Sequence, residues 1–241
     1  MKIFVFSDVH ANIYSLKAIE NCEDFVSADK RYFLGDFVTF GPHTEDVVNW
    51  FKNKDVKCVI GNNDSYIVNG LLDCEKAEKS KHKLRHLDDV KNELSLDSFN
   101  FIKNQPKEYA ETFMGKKFLF THYAWESETE VKDDPRNLND NIVKTAFSHI
   151  NCDYIFYGHI HVPTKYVDGN KNMFGVGSCG TLYPAKYLVI NIDSDIVVER
   201  KNLNYDVESF KKDLGKCEDF SRQYFYSIIE DELNMAETWK Q

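Results

Sequence analysis

At 241 residues, 42% of them hydrophobic and 14% aromatic, the chain has an ordinary globular composition and enough length to bury a core, which excludes a disordered chain. A formal net charge of -9 leaves no basic footprint for tracking a polyanion, so a non-specific nuclease is disfavoured and nucleic acid is not an expected partner. Six cysteines (Cys22, Cys58, Cys74, Cys152, Cys179, Cys217) are scattered with no C-x-x-C pair, which reads as reduced, mostly buried thiols rather than a disulfide framework or zinc knuckle.

The opening MKIFVFSDVH reads as a strand, Lys2–Ser7, that runs straight into polar residues and not as a signal peptide. No apolar run reaches ~18 residues, so no membrane partner is expected and the expected compartment is cytoplasmic. Asn12 can cap a helix carrying Ile13, Leu16 and Ile19 on one face. A strand over Arg31–Leu34 leads to Asp36, and Thr44 can cap a second helix with Val47, Val48 and Phe51 inward. After a strand at Val56–Ile60, the charged stretch Cys74–Asp97 reads as a peripheral helical excursion. Lys117–Thr121 reads as a strand and Ser127–Asn141 as a long polar surface loop. Five further strands follow at Tyr154–Tyr157, Thr164–Val167, Asn172–Val176, Tyr187–Ile192 and Ile196–Glu199.

From Asp206 the period becomes helical, with Val207, Phe210 and Leu214 on one face and Gly215 as the stop; a last helix over Glu218–Glu237 carries Phe220, Tyr224, Phe225 and Tyr226. Residues 1–205 are thus expected to form the main unit, with 206–241 a helical extension packed on it. A homodimer contact is the other way to cover that aromatic face. Strand–helix alternation early and hairpins late predict an α/β protein of two mixed sheets packed face to face with helices outside.

Polar motifs stand at the ends of these strands: Asp8 and His10 in SDVH, Asp36 in LGDFVTFGP, Asn62 in GNND, His122 in FTHY, and His159 with His161 in GHIH. Strand ends are the usual place for sites in α/β folds. Each piece alone is common; together they offer two aspartates, four histidines and an asparagine, enough for two metal ions sharing one aspartate. Oxygen and imidazole donors without thiolate suit divalent transition metals, with Mn²⁺ favoured and Fe, Co, Zn or Ni also compatible.

In this order the motifs resemble the signature of the calcineurin-like metallophosphoesterase superfamily, which runs D-x-H, GD, GN-H-D/E, a lone His and GH-x-H. The likeness covers roughly residues 2–200 and includes FGPHTEDVVNWF and the closing GVGSCG. It implies a four-layer αββα sandwich. It also implies that Asp8, His10 and His161 hold a first metal, that Asp36 bridges, and that Asn62, His122 and His159 hold a second. The implied activity is hydrolysis of small phosphodiesters or phosphomonoesters by attack of a metal-bound hydroxide.

Two departures from that signature matter. Asn63 stands where members usually carry the His that protonates the leaving oxygen, and an amide cannot serve as that acid. His43, just after the GP, is the candidate substitute as acid or phosphate contact. A metal-binding regulatory or scaffold protein with little turnover is the alternative that Asn63 keeps open. Secondly, GDFVTFG carries Thr39 and Phe40 where the protein phosphatases of the superfamily have Asp and Arg, so their bidentate phosphate clamp is missing. A small-molecule phosphate ester is therefore the expected partner. His82 and His86, four apart on the charged helix, are expected on a solvated face, and Cys179 is expected to be a small residue in a tight turn, not a nucleophile.

Overall fold

The computed structural model describes residues 1–71, 81–125 and 140–238. Among these residues, ten strands form two five-stranded sheets. The first is ordered β10-β9-β1-β2-β3, from β1 (Lys2–Phe6), β2 (Lys30–Phe33), β3 (Lys57–Cys58), β9 (Ala185–Ile192) and β10 (Ile196–Leu203). The second is ordered β4-β5-β6-β8-β7, from β4 (Glu108–Phe113), β5 (Lys116–Thr121), β6 (Tyr154–Tyr157), β7 (Thr164–Asp168) and β8 (Lys171–Gly175). Both sheets are mixed: β1, β2 and β3 run parallel in one, and β5, β6 and β8 in the other.

Alternation along β1 explains the layering. Ile3 and Val5 join Tyr32, Leu34, Phe118, Phe120, Phe156 and Leu188 between the sheets, while Phe4 and Phe6 turn outward. There the outward rings meet Leu16 of α1 (Ile13–Glu20) and Val47 and Phe51 of α3 (Thr44–Lys52). Helix α2 is the short Glu23–Val26. The outer face of the second sheet, with Leu119, Ile155 and Met173, is covered by Val143 of α7 (Asp140–Ala146). The result is the four-layer sandwich expected. Between the sheets, Tyr32 stacks on Phe120 at 3.8 Å, and Phe156 lies 5.3 Å from Phe120 and 5.4 Å from Phe174. Offset aromatic rows of this kind add directional packing to the area they bury.

Local signals behaved unevenly. Asn12 caps α1 by accepting from the Tyr14 and Ser15 amides, as its position predicts. Helix α3 instead has His43 at its N-cap with no side-chain cap bond, and Thr44 donates to Glu93. Strand β4 was not expected. Its residues EYAETF alternate between half-buried and exposed with no apolar run, as an edge strand can. It is held by register with β5 and by Glu111, which accepts from Tyr32 and Lys30 of the other sheet. Val56–Ile60 shrinks to the two residues of β3. The helical excursion becomes α5 (Lys81–Glu93) and α6 (Leu96–Lys103), after α4 (Asn62–Asn69). The expected loop at Ser127–Asn141 lies almost wholly outside the described residues, as does Cys74; the other five cysteines are free.

The C-terminal helices, α8 (Val207–Leu214) and α9 (Phe220–Thr238), bury Phe210, Leu214, Phe225 and Ile229 in the same core as α1 and α3. Phe220 and Tyr224 remain exposed. Arg222 anchors α9: its two terminal nitrogens donate to the Glu93 carboxylate at 2.7 Å each, and Nε donates to Gly41 O at 3.1 Å. Its side chain is buried while Glu93 is a third exposed, so the pair is worth less than a fully desolvated one. Arg222→Ala should cost about 2 kcal/mol, a Tm drop of roughly 4–8 °C for a chain of this size. A melting curve at fixed metal concentration checks this, and an unchanged Tm would assign the anchoring to apolar contacts alone.

Candidate metal centre

All the parallel strands deliver their C-terminal ends to one edge of the sandwich. The polar motifs follow there: Asp8 and His10 after β1, Asp36 after β2, Asn62 and Asn63 after β3, His122 after β5, and His159 with His161 after β6. Asp8, His10, Asp36 and His122 are essentially inaccessible to solvent, and Asn62 is 9% exposed. Five of these residues, Asp8, His10, Asp36, His159 and His161, adopt positive φ between 48° and 68°. Asp and His tolerate that region better than most, yet each such residue costs about 1 kcal/mol or more. Such strain gathered at one point, away from any tight hairpin, marks a place where side-chain direction outweighs backbone comfort.

One group of donors comprises Asp8, His10, Asp36 and His161, whose ligand atoms all lie within 4.8 Å of one another. Nε2 of His10 stands 3.0 Å from Nε2 of His161 and 3.5 Å from Asp36 Oδ2, and His161 Nε2 is 3.4 Å from Asp8 Oδ1. The tautomer of His10 follows from its partner: Nδ1 lies 3.2 Å from the Val38 carbonyl, which can only accept, so Nδ1 carries the proton and Nε2 turns a lone pair inward. Two imidazole nitrogens facing each other need a proton or a cation between them. Pairs of donors about 3.0–3.4 Å apart suit an ion with bonds of about 2.1 Å.

A second group gathers on Asn62. Its Oδ1 lies 2.9 Å from His122 Nε2 and 2.8 Å from His159 Nδ1, and His122 Nε2 is 3.6 Å from Asp36 Oδ2. His122 Nδ1 donates to the Leu34 carbonyl at 2.6 Å, so in the neutral ring Nε2 presents a lone pair to the Asn62 oxygen, itself an acceptor. Two buried acceptors in contact are stable only with a cation between them or a proton added to the ring. Both donor groups thus fit a divalent cation, and both include Asp36 Oδ2. The second is centred on an amide oxygen, that of Asn62.

The electrostatics match this fit. Burial pushes His10 and His159 each down to about 4, so both rings are neutral and able to ligate at pH 7. Burial would raise Asp8, but the His161 hydrogen bond and the nearby imidazole charges hold its carboxyl well below the usual range. For Asp36, too, burial acts upward, and the His122 and His10 charges bring it down. Both carboxylates remain anionic. His161 is the exception among the rings, raised against burial by its bond to Asp8.

Asp64 is the supporting residue that the sequence reading passed over. Fully buried, it accepts backbone N–H groups from Asp36 at 2.8 Å, Gly61 at 2.9 Å, Phe37 at 2.9 Å and Val38 at 3.4 Å, and so fixes the loop that presents Asp36. Burial and the Asp36 charge push its carboxyl upward while those donors pull the other way. The available signal was its place as the acid that closes GNND. Gly61 is needed for closeness, since a Cβ there would collide with the Asp36 carboxylate. The GSCG turn clamps the Asp8 loop: Ser178 Oγ donates to Asp8 O at 2.7 Å, and Gly180 N donates to the same oxygen at 3.0 Å.

The two candidates for the missing acid fall differently. Asn63 lies within the cluster, its N and Nδ2 donating to the two oxygens of Asp36 at 3.0 and 2.7 Å. His43 is turned to another group: its Nε2 is 3.3 Å from Asp213, and its ring packs against Tyr14 and Phe210. His86 is not solvated as expected. It is fully buried, accepting from Phe40 N at 3.1 Å and pairing with Asp219 at 3.1 Å, because α9 covers that side of α5. His82 is exposed and stacks on Phe220. Cys179 is buried in its turn, which pushes its thiol well up, as a structural residue should be.

Residues 1–195 match the calcineurin-like phosphoesterase superfamily domain. Over 236 residues the chain is 24% identical to the uncharacterized protein MJ0912 of Methanocaldococcus jannaschii, covering 96% of this chain and 93% of that one. The fold is similar to hypothetical protein PH1004 from Pyrococcus horikoshii OT3, with a TM-score of 0.76, 16% identity and coverage of 93% and 97%. It is also similar to a metallophosphoesterase from Sphaerobacter thermophilus, with a TM-score of 0.68, 19% identity and coverage of 90% and 94%. At these identities the two structures speak for the fold.

Proposed function

This chain belongs to the calcineurin-like phosphoesterase superfamily, and from that premise we propose that it is a two-metal phosphoesterase acting on small phosphodiesters or phosphomonoesters, with Mn²⁺ as the favoured ion. The observation that carries this reading is the convergence of two donor groups on one carboxylate, Asp36. Two divalent ions bound there would supply an activated water and neutralise charge on the phosphoryl oxygens. Asp8, His10 and His161 hold one side of the site, and Asn62, His122 and His159 the other. Asn63 orients Asp36 through both carboxylate oxygens. No side-chain nucleophile is required, and the buried neutral thiol of Cys179 offers none.

The direct test is hydrolysis of bis(p-nitrophenyl) phosphate with and without Mn²⁺. A protein that carries bound metal yet shows no Mn²⁺-dependent turnover would instead be the regulatory or scaffold member that Asn63 leaves as the second reading.

Because Asn63 has no proton to give, the rate should depend steeply on leaving-group pKa, with nitrophenyl esters turned over and alkyl esters lagging. Asn63→His should restore a donor near neutrality and accelerate alkyl esters about 10-fold or more over nitrophenyl esters. A flat leaving-group dependence in the unmodified protein would mean that another group already donates the proton.

A further inference from the structure

We propose that Lys83, brought in by α5, is the substrate-binding cation of this site and holds the phosphoryl group of the ester through its ammonium. The proposal rests on the phosphoesterase reading and adds to it the residue that recognises the anionic group. Asn63 is the pivot. Its Nδ2 is fixed on Asp36 Oδ2 at 2.7 Å, so its Oδ1 must point the other way, out of the donor cluster. Lys83 Nζ donates to that Oδ1 at 3.1 Å. One amide therefore separates the ammonium from the carboxylate that both donor groups share.

A second contact sets its position across the site. Nζ lies 4.4 Å from the centre of the Phe40 ring, which packs against His10 at 4.8 Å between centroids and, further off, against Phe225 and His86. Phe40 over one donor group and Asn63 beside the other hold the ammonium where it can serve both. The loop after Asp36 provides no cation of its own, since it runs Phe37, Val38, Thr39 and Phe40, the first three of them buried. In a chain with net charge -9 and two buried carboxylates (Asp8, Asp36) at the site, attraction of an anion beyond that given by metal ions has to come from a placed side chain. A half-buried ammonium resting on an aromatic face, one hydrogen bond from the cluster, provides it.

Orthophosphate, the shared chemical core of every substrate in this class, is the probe. Its affinity for Mn²⁺-loaded protein is measured by titration calorimetry for the unmodified chain, Lys83→Ala and Lys83→Arg, alongside bound metal and the KM for bis(p-nitrophenyl) phosphate. In Lys83→Ala bound metal should be unchanged, while the orthophosphate Kd and the KM should each rise about 10-fold or more, the usual scale of a charge-assisted hydrogen bond. Lys83→Arg should stay within a few-fold, because charge and not shape is the requirement. Unchanged Kd and KM in Lys83→Ala would overturn the proposal. So would loss of metal in that variant, which would make Lys83 a support for the ligands. If the unmodified protein binds orthophosphate through Lys83 but turns over no ester, the binding role stands and the enzymatic reading falls.

Discussion

Asp36→Ala should abolish Mn²⁺-dependent hydrolysis while leaving the protein folded. Asp36 Oδ2 lies close to an inward-facing ring nitrogen of each donor group, 3.5 Å from His10 and 3.6 Å from His122. Removing it opens both sites at once, whereas Asp8→Ala or His161→Ala should mainly empty one. Metal centres contribute several kcal/mol to hydrolysis, so a fall of ~10⁴-fold or more is expected. Metal analysis should show the unmodified chain carrying more transition metal than the variant, and a chain with none would sink the two-metal reading. Stability should behave differently from activity. Without metal, Asp8 repels Asp36 while His122 and His10 support its charge, and relief of that repulsion offsets part of what the Asn63 bonds and the imidazoles contribute. The metal-free variant should therefore melt within a few degrees of the metal-free parent, and only the stabilisation gained on adding Mn²⁺ should vanish. A variant that unfolds outright would make Asp36 a structural residue first.

Asp64→Ala should have the reverse profile, with stability lost first and activity as a consequence. Its carboxylate is the acceptor for four buried backbone N–H groups, from Asp36, Phe37, Val38 and Gly61. Leaving a buried donor unsatisfied costs about 1–3 kcal/mol, so even with partial relaxation the loss should be about 4 kcal/mol or more. That is a large share of the about 5–15 kcal/mol that holds a typical domain together. Asp64→Asn should be only a partial remedy, because one oxygen becomes an NH₂ that faces further N–H donors. Urea unfolding of the metal-free proteins measures this directly. A midpoint close to the parent's would show that water or a shifted loop satisfies those amides, and would remove Asp64 from the machinery that presents Asp36.

The sequence by itself determined the sandwich and which polar motifs stand at its strand ends. Alternation in IFVF dictates that Ile3 and Val5 face one core and Phe4 and Phe6 another, since successive strand residues point to opposite faces. The D-x-H, GD, GN and GH-x-H pieces lie where parallel strands end, and so their convergence is legible in the sequence. What escaped lacked a periodic or motif signal. Strand β4 has no apolar run and is defined by its hairpin pairing with β5 and by Glu111, whose bond to Tyr32 spans 79 residues of chain. His86 carries the pattern of a solvated helix face; only the arrival of α9, with Asp219, buries it. His43 sits beside a motif in sequence, but its ring turns to Asp213, 170 residues away. Lys83 is one lysine among several on a charged helix, and only the packing of α5 against α4 places its ammonium on Asn63. Local patterns fix which face of an element is buried because burial acts on every residue of that element. Which single polar side chain meets which depends on how whole elements dock, and that is decided in three dimensions.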